Sequence, residues 1–126
     1  MNQSKTPRAR LLRDADALWQ QAVCMAGKCL LCGRTKPLCG HHIKGKKARP
    51  DLRHVIANGV CVCWGLPGTC HDKVHAMGQE RSEHMIRAML PEQMRMMEAI
   101  KYEPRVVMLG DLMQTIARLR RVVEWK

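Results

Sequence analysis

Residues 29–43, CLLCGRTKPLCGHHI, and residues 58–75, NGVCVCWGLPGTCHDKVH, decide how this chain folds. Between Cys29 and His75 lie five of the six histidines and six of the seven cysteines. Thiols and imidazoles gathered so densely are ligands for a soft or borderline metal ion. The Cys-x2-Cys spacing of Cys29 and Cys32 lets two thiolates reach one tetrahedral ion, and Gly33 lets the backbone fold behind it. A second pair must come from Cys61, Cys63 and Cys70. Cys63 at the end of a strand and Cys70 at the start of a helix form the expected closing knuckle, widened by the insertion of Trp64 to Thr69. Cys61 is the alternative to Cys63. The expected cofactor here is a structural zinc. Cys24 and Cys39 are left over as buried, inert thiols.

No structural zinc requires the doublet His41-His42. Residues 38–43 read as a short strand, on which neighbouring side chains point to opposite faces. One imidazole can then face an ion while the other faces away, which suits a ligand beside a general base. Residues 70–78 read as a helix stopped near Gly78, placing His71 and His75 at i and i+4 on one face, close enough to share an ion. Imidazole ligands favour zinc and nickel over manganese and magnesium. Val60 to Trp64 reads as the second strand and Gly65 to Gly68 as a turn. The intervening segment 44–57, KGKKARPDLRHVIA, carries Lys44, Lys46, Lys47, Arg49 and Arg53 and is interrupted by Pro50. It has the length usually kept for function. His54 within it reads as an ordinary surface histidine.

N-terminal to this core, residues 1–6 are polar and expected to fray, and Thr6 caps a helix with Pro7 at its first position. Leu11, Ala15, Leu18 and Ala22, flanked by Leu12, Trp19 and Val23, form its apolar face, with Arg13, Asp14, Asp16, Gln20 and Gln21 opposite. Trp19 belongs to the core, and Gly27 ends the helix. Beyond Gly78, Ser82 is expected to cap a helix to about Leu90, and Pro91 to restart one to about Lys101. Met85, Met89, Met94 and Met97 are their packing positions. A kinked connection through Tyr102-Glu103-Pro104-Arg105 leads to Gly110-Asp111, read as a cap. The last helix carries Leu112, Ile116, Leu119 and Val123 on one stripe, which could also supply a homodimer contact.

The 126 residues fit one domain: an N-terminal helix over 1–28, the metal-rich core over 29–78 and a helical extension over 79–126. Hydrophobic residues make up 46% of the chain, yet there is no Phe, so Leu, Ile, Val and ten Met must supply the bulk. The net charge of +11 points to a polyanionic partner, most often nucleic acid. With one Tyr and three Trp, a stacking platform for single strands is not expected. No apolar run is long enough to span a bilayer and no secretory h-region follows the N-terminus, so neither a membrane partner nor export is expected. A reducing, cytoplasmic setting favours metal over disulfides for the cysteines.

Taken together, His41-His42, Asn58 and His71-x3-His75 resemble the HNH, or ββα-metal, nuclease motif, in an order similar to that of the DNase colicins. The framing by Cys29/Cys32 and Cys63/Cys70 resembles the zinc-stapled members of that superfamily, including small phage and prophage nucleases and junction resolvases of the endonuclease VII type. The resemblance covers about residues 29–78. It implies an α+β fold, a zinc-stapled ββα-metal core flanked by N-terminal and C-terminal helices. It also implies hydrolysis of DNA phosphodiesters with one divalent ion (magnesium, manganese, nickel or zinc), leaving a 5′ phosphate, in phage- or prophage-type DNA processing inside a bacterial host. By the same resemblance His42 is the general base, and His41 and His71 bind the ion. His75 is a third ligand or a phosphate contact. Asn58 ties the long loop across the hairpin and orients His42, while Lys44, Lys46, Lys47, Arg49 and Arg53 contact backbone phosphates. Many zinc-stapled relatives carry Asp where His41 stands, which bears on the metal preferred. Two rivals remain: a structure-selective enzyme such as a Holliday-junction resolvase, and a zinc-finger DNA-binding module without catalysis.

Overall fold

A computed structural model describes residues 6–104 and 106–124. The fraying expected before Thr6 and the conformation of Arg105 lie outside the described residues. The elements run α1 (Pro7–Val23), β1 (Leu38–His42), β2 (Gly59–Cys63), α2 (Cys70–Met77), α3 (Gln79–Met89), α4 (Pro91–Glu98) and α5 (Leu109–Glu124). Two short 3-10 turns, Pro50–Leu52 and Ile56–Asn58, punctuate the long basic loop. The fold is α+β, a two-stranded antiparallel sheet with helices at both ends. No described helix is long and apolar enough to cross a membrane.

The register pairs Leu38 with Cys63, Gly40 with Cys61, His41 with Val60 and His42 with Gly59. The main core gathers Cys29, Ile43, Leu52, Val60 and Val62 with Ile86, Met94 and Met97, so α3 and α4 close the sheet where a chain without Phe needs bulk. Helix α1 covers the strands from the other side and is itself backed by α5, with Trp19, Ala22 and Leu119 forming a second cluster. Thr6 Oγ1 accepts from the Ala9 N–H at 3.0 Å and Pro7 opens the helix, as a capped start requires.

Gly40 and Gly59 let Trp19 approach the sheet. Gly59 is extended, with φ −133°, so its backbone does not demand glycine. Space does: a Cβ there would lie 2.6 Å from Trp19 Cζ2 and 2.6 Å from Val23 Cγ2, and one on Gly40 2.9 Å from Trp19 Cζ3. Gly59→Ala is therefore expected to lower stability by about 1–3 kcal/mol through overpacking. Gly45→Ala, which meets nothing within 4 Å, serves as the comparison in urea denaturation. Equal midpoints for Gly59→Ala and wild type would show that Trp19 has room to retreat.

Several expectations for the C-terminal half are corrected. Gly78, with φ 86°, breaks α2 and lets α3 begin at once at Gln79. Ser82 is therefore inside the first turn rather than its cap, and its buried Oγ donates to the Gln79 carbonyl at 3.0 Å. Met94 and Met97 are buried and Met85 packs against the core, but Met89 faces outward because Ile86 is the residue α3 buries. Helix α4 ends at Glu98, short of Lys101. Asp111 is not an N-terminal cap but the third residue of α5, reaching back to accept from the Met108 N–H at 2.8 Å in the manner of a capping box. In α5, Leu112, Ile116 and Leu119 are buried within the chain, and Val123 packs partly buried against the Trp19 cluster.

Candidate metal centre and active site

The first centre is built from two loops and the ends of two elements. The Cys29 N–H donates to the Arg34 carbonyl at 2.8 Å and the Gly33 N–H to the Cys29 carbonyl at 3.0 Å, closing a tight knuckle. Gly33 has φ 78°, a conformation that leaves little choice of residue. The Leu30 N–H donates to the Cys61 carbonyl at 2.8 Å and docks this knuckle on β2. On the other side, Gly65 (φ 89°) and Gly68 (φ 77°) turn the inserted segment, and the Trp64 indole N–H holds it to the Leu38 carbonyl at 3.0 Å. The insertion thus returns Cys70 to Cys63, whose Sγ accepts from the Cys70 N–H at 3.3 Å.

The sulfurs of Cys29, Cys32, Cys63 and Cys70 all lie within 4.8 Å of one another. Cys32 and Cys63 are 3.7 Å apart, close to the edge of about 3.8 Å of a tetrahedron with metal–sulfur arms of about 2.3 Å. These four cysteines form a possible structural metal site. Cys61 does not join it, and its thiol pairs with that of Cys24 instead. Burial and the neighbouring sulfurs raise the Cys70 thiol to about 12, whereas backbone N–H groups of Cys32, Cys63 and Leu31 outweigh burial at Cys29 and lower it to about 6. Four thiols in contact cannot all ionise without a cation among them, so a metal would stabilise a set of thiolates that the protein alone disfavours.

The second cluster joins β1 to α2. Ring nitrogens of His41, His71 and His75 lie within 4.8 Å of one another. The Nε2 atoms of His71 and His75 are 3.2 Å apart, as the i, i+4 spacing on α2 allows. The three rings stand nearly perpendicular in pairs, with centroids 4.5 to 5.8 Å apart. Burial, then the nearby His75 and His71, push His41 down to about 4. His71 is lowered for the same two kinds of reason. His41 is thus held neutral, with a lone pair free to ligate.

His42 occupies the opposite face of β1, as strand alternation requires. Its ring stacks on Trp19, with centroids 3.9 Å apart and planes 5° from parallel. Its Nε2 lies 2.9 Å from the Arg53 carbonyl. A carbonyl can only accept, so Nε2 carries the proton and Nδ1 the lone pair. Burial lowers the His42 pKa against a smaller upward pull from the Arg53 carbonyl and Asp16, so the ring is neutral at neutral pH. His41, His42, His71 and His75 all line one cleft of about 320 Å³, together with Lys46 and Gln79.

Asn58 is fully buried and ties the loop across the hairpin. Its Oδ1 accepts from the Lys44 N–H at 2.8 Å, and its Nδ2 donates to the Lys44 and Leu52 carbonyls at 3.1 Å each. It ties Lys44, two residues beyond His42, to Leu52, the residue before the Arg53 whose carbonyl holds His42. Of the five basic loop residues, three are paired within the chain. Lys44 meets Glu83 at 2.6 Å, Arg49 meets Asp51 at 2.7 Å and covers Tyr102, and Arg53 meets Asp16 at 2.7 Å. Lys46 and Lys47 are exposed and make no ion pair among the described residues.

His54 is corrected from a surface histidine: its side chain is 11% exposed and its Nε2 donates to Asp16 Oδ1 at 2.7 Å. Asp16, the Trp19 stack and the Arg53 carbonyl were not expected near the site. Gly40 and Gly59, one on each strand, are the one sequence signal that something large packs there. No family model matches this sequence, and neither a curated protein nor a solved structure matches it.

Proposed function

We propose that the chain is a metal-dependent endonuclease of the HNH type that hydrolyses DNA phosphodiesters. The reading rests on one juxtaposition. Successive residues of β1 send His41 into a three-histidine cluster and His42 to a position where its protonated nitrogen is bound to a carbonyl, and both line one cleft. A structural role would need neither the second histidine nor its enforced tautomer.

His41, His71 and His75 would hold the divalent ion, which when bound would polarise the scissile phosphate and stabilise the departing 3′ oxygen. An all-imidazole set suits nickel or zinc better than magnesium. His42 Nδ1 takes a proton from the attacking water as its oxygen bonds to phosphorus and the P–O3′ bond breaks, leaving a 5′ phosphate. The neutral imidazole that this step needs is the form favoured by burial. Lys46 on the cleft wall and Lys47 beside it supply unpaired positive charge for backbone phosphates. Asn58 and Trp19 hold the base without touching substrate. Cys29, Cys32, Cys63 and Cys70 would bind a structural zinc, which would secure β2 and α2 against the first knuckle.

Metal analysis together with a plasmid-nicking assay tests the reading. One tightly held zinc per chain and a second, weaker divalent site are expected, with nicking that follows occupancy of the weaker one. A zinc-bound chain that bends or protects DNA but never cuts it would return the protein to the class of binding modules.

A further inference from the structure

One face of α1 grips the active-site loop and strand at successive turns. The Asp16 carboxylate accepts a bidentate pair from Arg53, Nε to Oδ1 at 2.9 Å and Nη2 to Oδ2 at 2.7 Å, and a third bond from His54 Nε2 at 2.7 Å. Three residues on, the Trp19 indole N–H donates to the Val55 carbonyl at 2.9 Å while its ring lies on His42. Gln20 then bonds both backbone groups of Gly40, accepting from its N–H at 2.5 Å and donating to its carbonyl at 3.2 Å. Arg53, His54 and Val55 are thereby held in sequence, and the Arg53 carbonyl is the atom that holds His42.

We propose that Asp16 is a positioning residue for His42: by clamping the Arg53 and His54 side chains it fixes the Arg53 carbonyl, which in turn fixes the Nε2–H tautomer of the base and leaves Nδ1 for the proton. The three bonds converge on one carboxylate, a bidentate fork plus an imidazole, which is a geometry and not merely a charge balance. His54 and Arg53 outweigh burial to keep Asp16 ionised, so the clamp is closed throughout the neutral range. Neither knuckle nor any of the three clustered histidines takes part, so metal binding and base orientation are set by different parts of the chain. A misplaced base costs rate without loss of substrate affinity.

Asp16→Asn tests this in the full chain as purified, with Asp14→Asn as the charge-matched comparison, since Asp14 is exposed on the same helix. The activity arm rests on the nuclease reading; a second arm does not. In that second arm, long-range proton–nitrogen NMR correlations of the His42 ring report its tautomer directly. Expected are the Nε2–H tautomer in wild type and Asp14→Asn, and mixed tautomers in Asp16→Asn. With DNA, kcat of Asp16→Asn is expected to fall by about 10- to 100-fold, with KM and metal content matching Asp14→Asn. Asp16→Glu, which keeps the carboxylate, is expected to recover part of kcat. An unchanged tautomer and an unchanged kcat in Asp16→Asn overturn the proposal. Should that variant fail to fold, Arg53→Met removes the fork while keeping the carbonyl, and a wild-type tautomer there overturns it equally. A wild type that cuts no DNA removes the nuclease reading and leaves the tautomer measurement to decide the role of Asp16.

Discussion

Replacing His42 by alanine is expected to reduce DNA cleavage by about 100- to 10,000-fold, the contribution of a positioned general base. The loss should appear in kcat. The three clustered histidines are untouched, so the divalent ion should bind as before, and the four cysteines keep their metal. Wild-type activity should show the same group in its acid limb. The base works only when neutral, and burial holds its pKa below the ordinary 6.5. Cleavage is therefore full above that value and declines as pH falls through the lowered pKa, so the midpoint of the decline should lie below 6.5. His42→Ala should lose this limb along with its activity. If His42→Ala cuts as fast as wild type, the base is another group, although the chain remains a nuclease.

Disrupting the cysteine centre is expected to unfold the core outright. A structural zinc contributes about 10–16 kcal/mol of apparent binding free energy in small zinc-dependent domains, as much as the whole stability of about 5–15 kcal/mol typical of a native protein. A zinc held by Cys29, Cys32, Cys63 and Cys70 would join the knuckle at Cys29 to the end of β2 and the start of α2. Cys63→Ser should therefore lose the zinc and the cooperative thermal transition, and strong chelation of the wild type should do the same. Cys61→Ser is the internal comparison. Its sulfur pairs with Cys24 and not with the cluster, so zinc content and a cooperative melt should survive. Retained zinc in Cys63→Ser, or its loss in Cys61→Ser, would reassign the fourth ligand.

Much of this centre was legible in the sequence because its ligands obey local spacing. Cys29 and Cys32 must share a knuckle, His71 and His75 must share a helix face, and His41 and His42 must part across a strand; each rule operates within a few residues. The widened second knuckle closes because two left-handed glycines and the Trp64 indole fold the insertion back, and Cys63 rather than Cys61 brings its sulfur to the cluster. What could not be read is the support of His42. Asp16 is 37 residues from Arg53 and 38 from His54, and on the helix it looks like one more member of the polar face. Only packing of α1 on the sheet brings Asp16 and Gln20 beside the loop and strand, while Arg13, Asp14 and Gln21 stay exposed. The same limit explains Lys44, whose partner Glu83 is 39 residues away, whereas Arg49 pairs locally with Asp51, two residues on. Misplaced helix starts have a simpler origin: Gly78 both ends α2 and precedes α3, and Asp111 caps from inside the helix, so Ser82 and Asp111 sit three and two residues past the first residue of their helices.

Metal-dependent cleavage by the purified wild-type chain tests the central claim most directly. Supercoiled, linear, single-stranded and branched DNA would be incubated with magnesium, manganese, nickel or zinc, and with EDTA, and the new ends identified. The two-centre account predicts cleavage of at least one substrate with at least one of these ions, 5′-phosphate ends and no cleavage in EDTA. A folded, zinc-loaded chain that cuts none of these substrates with any of these ions would contradict it.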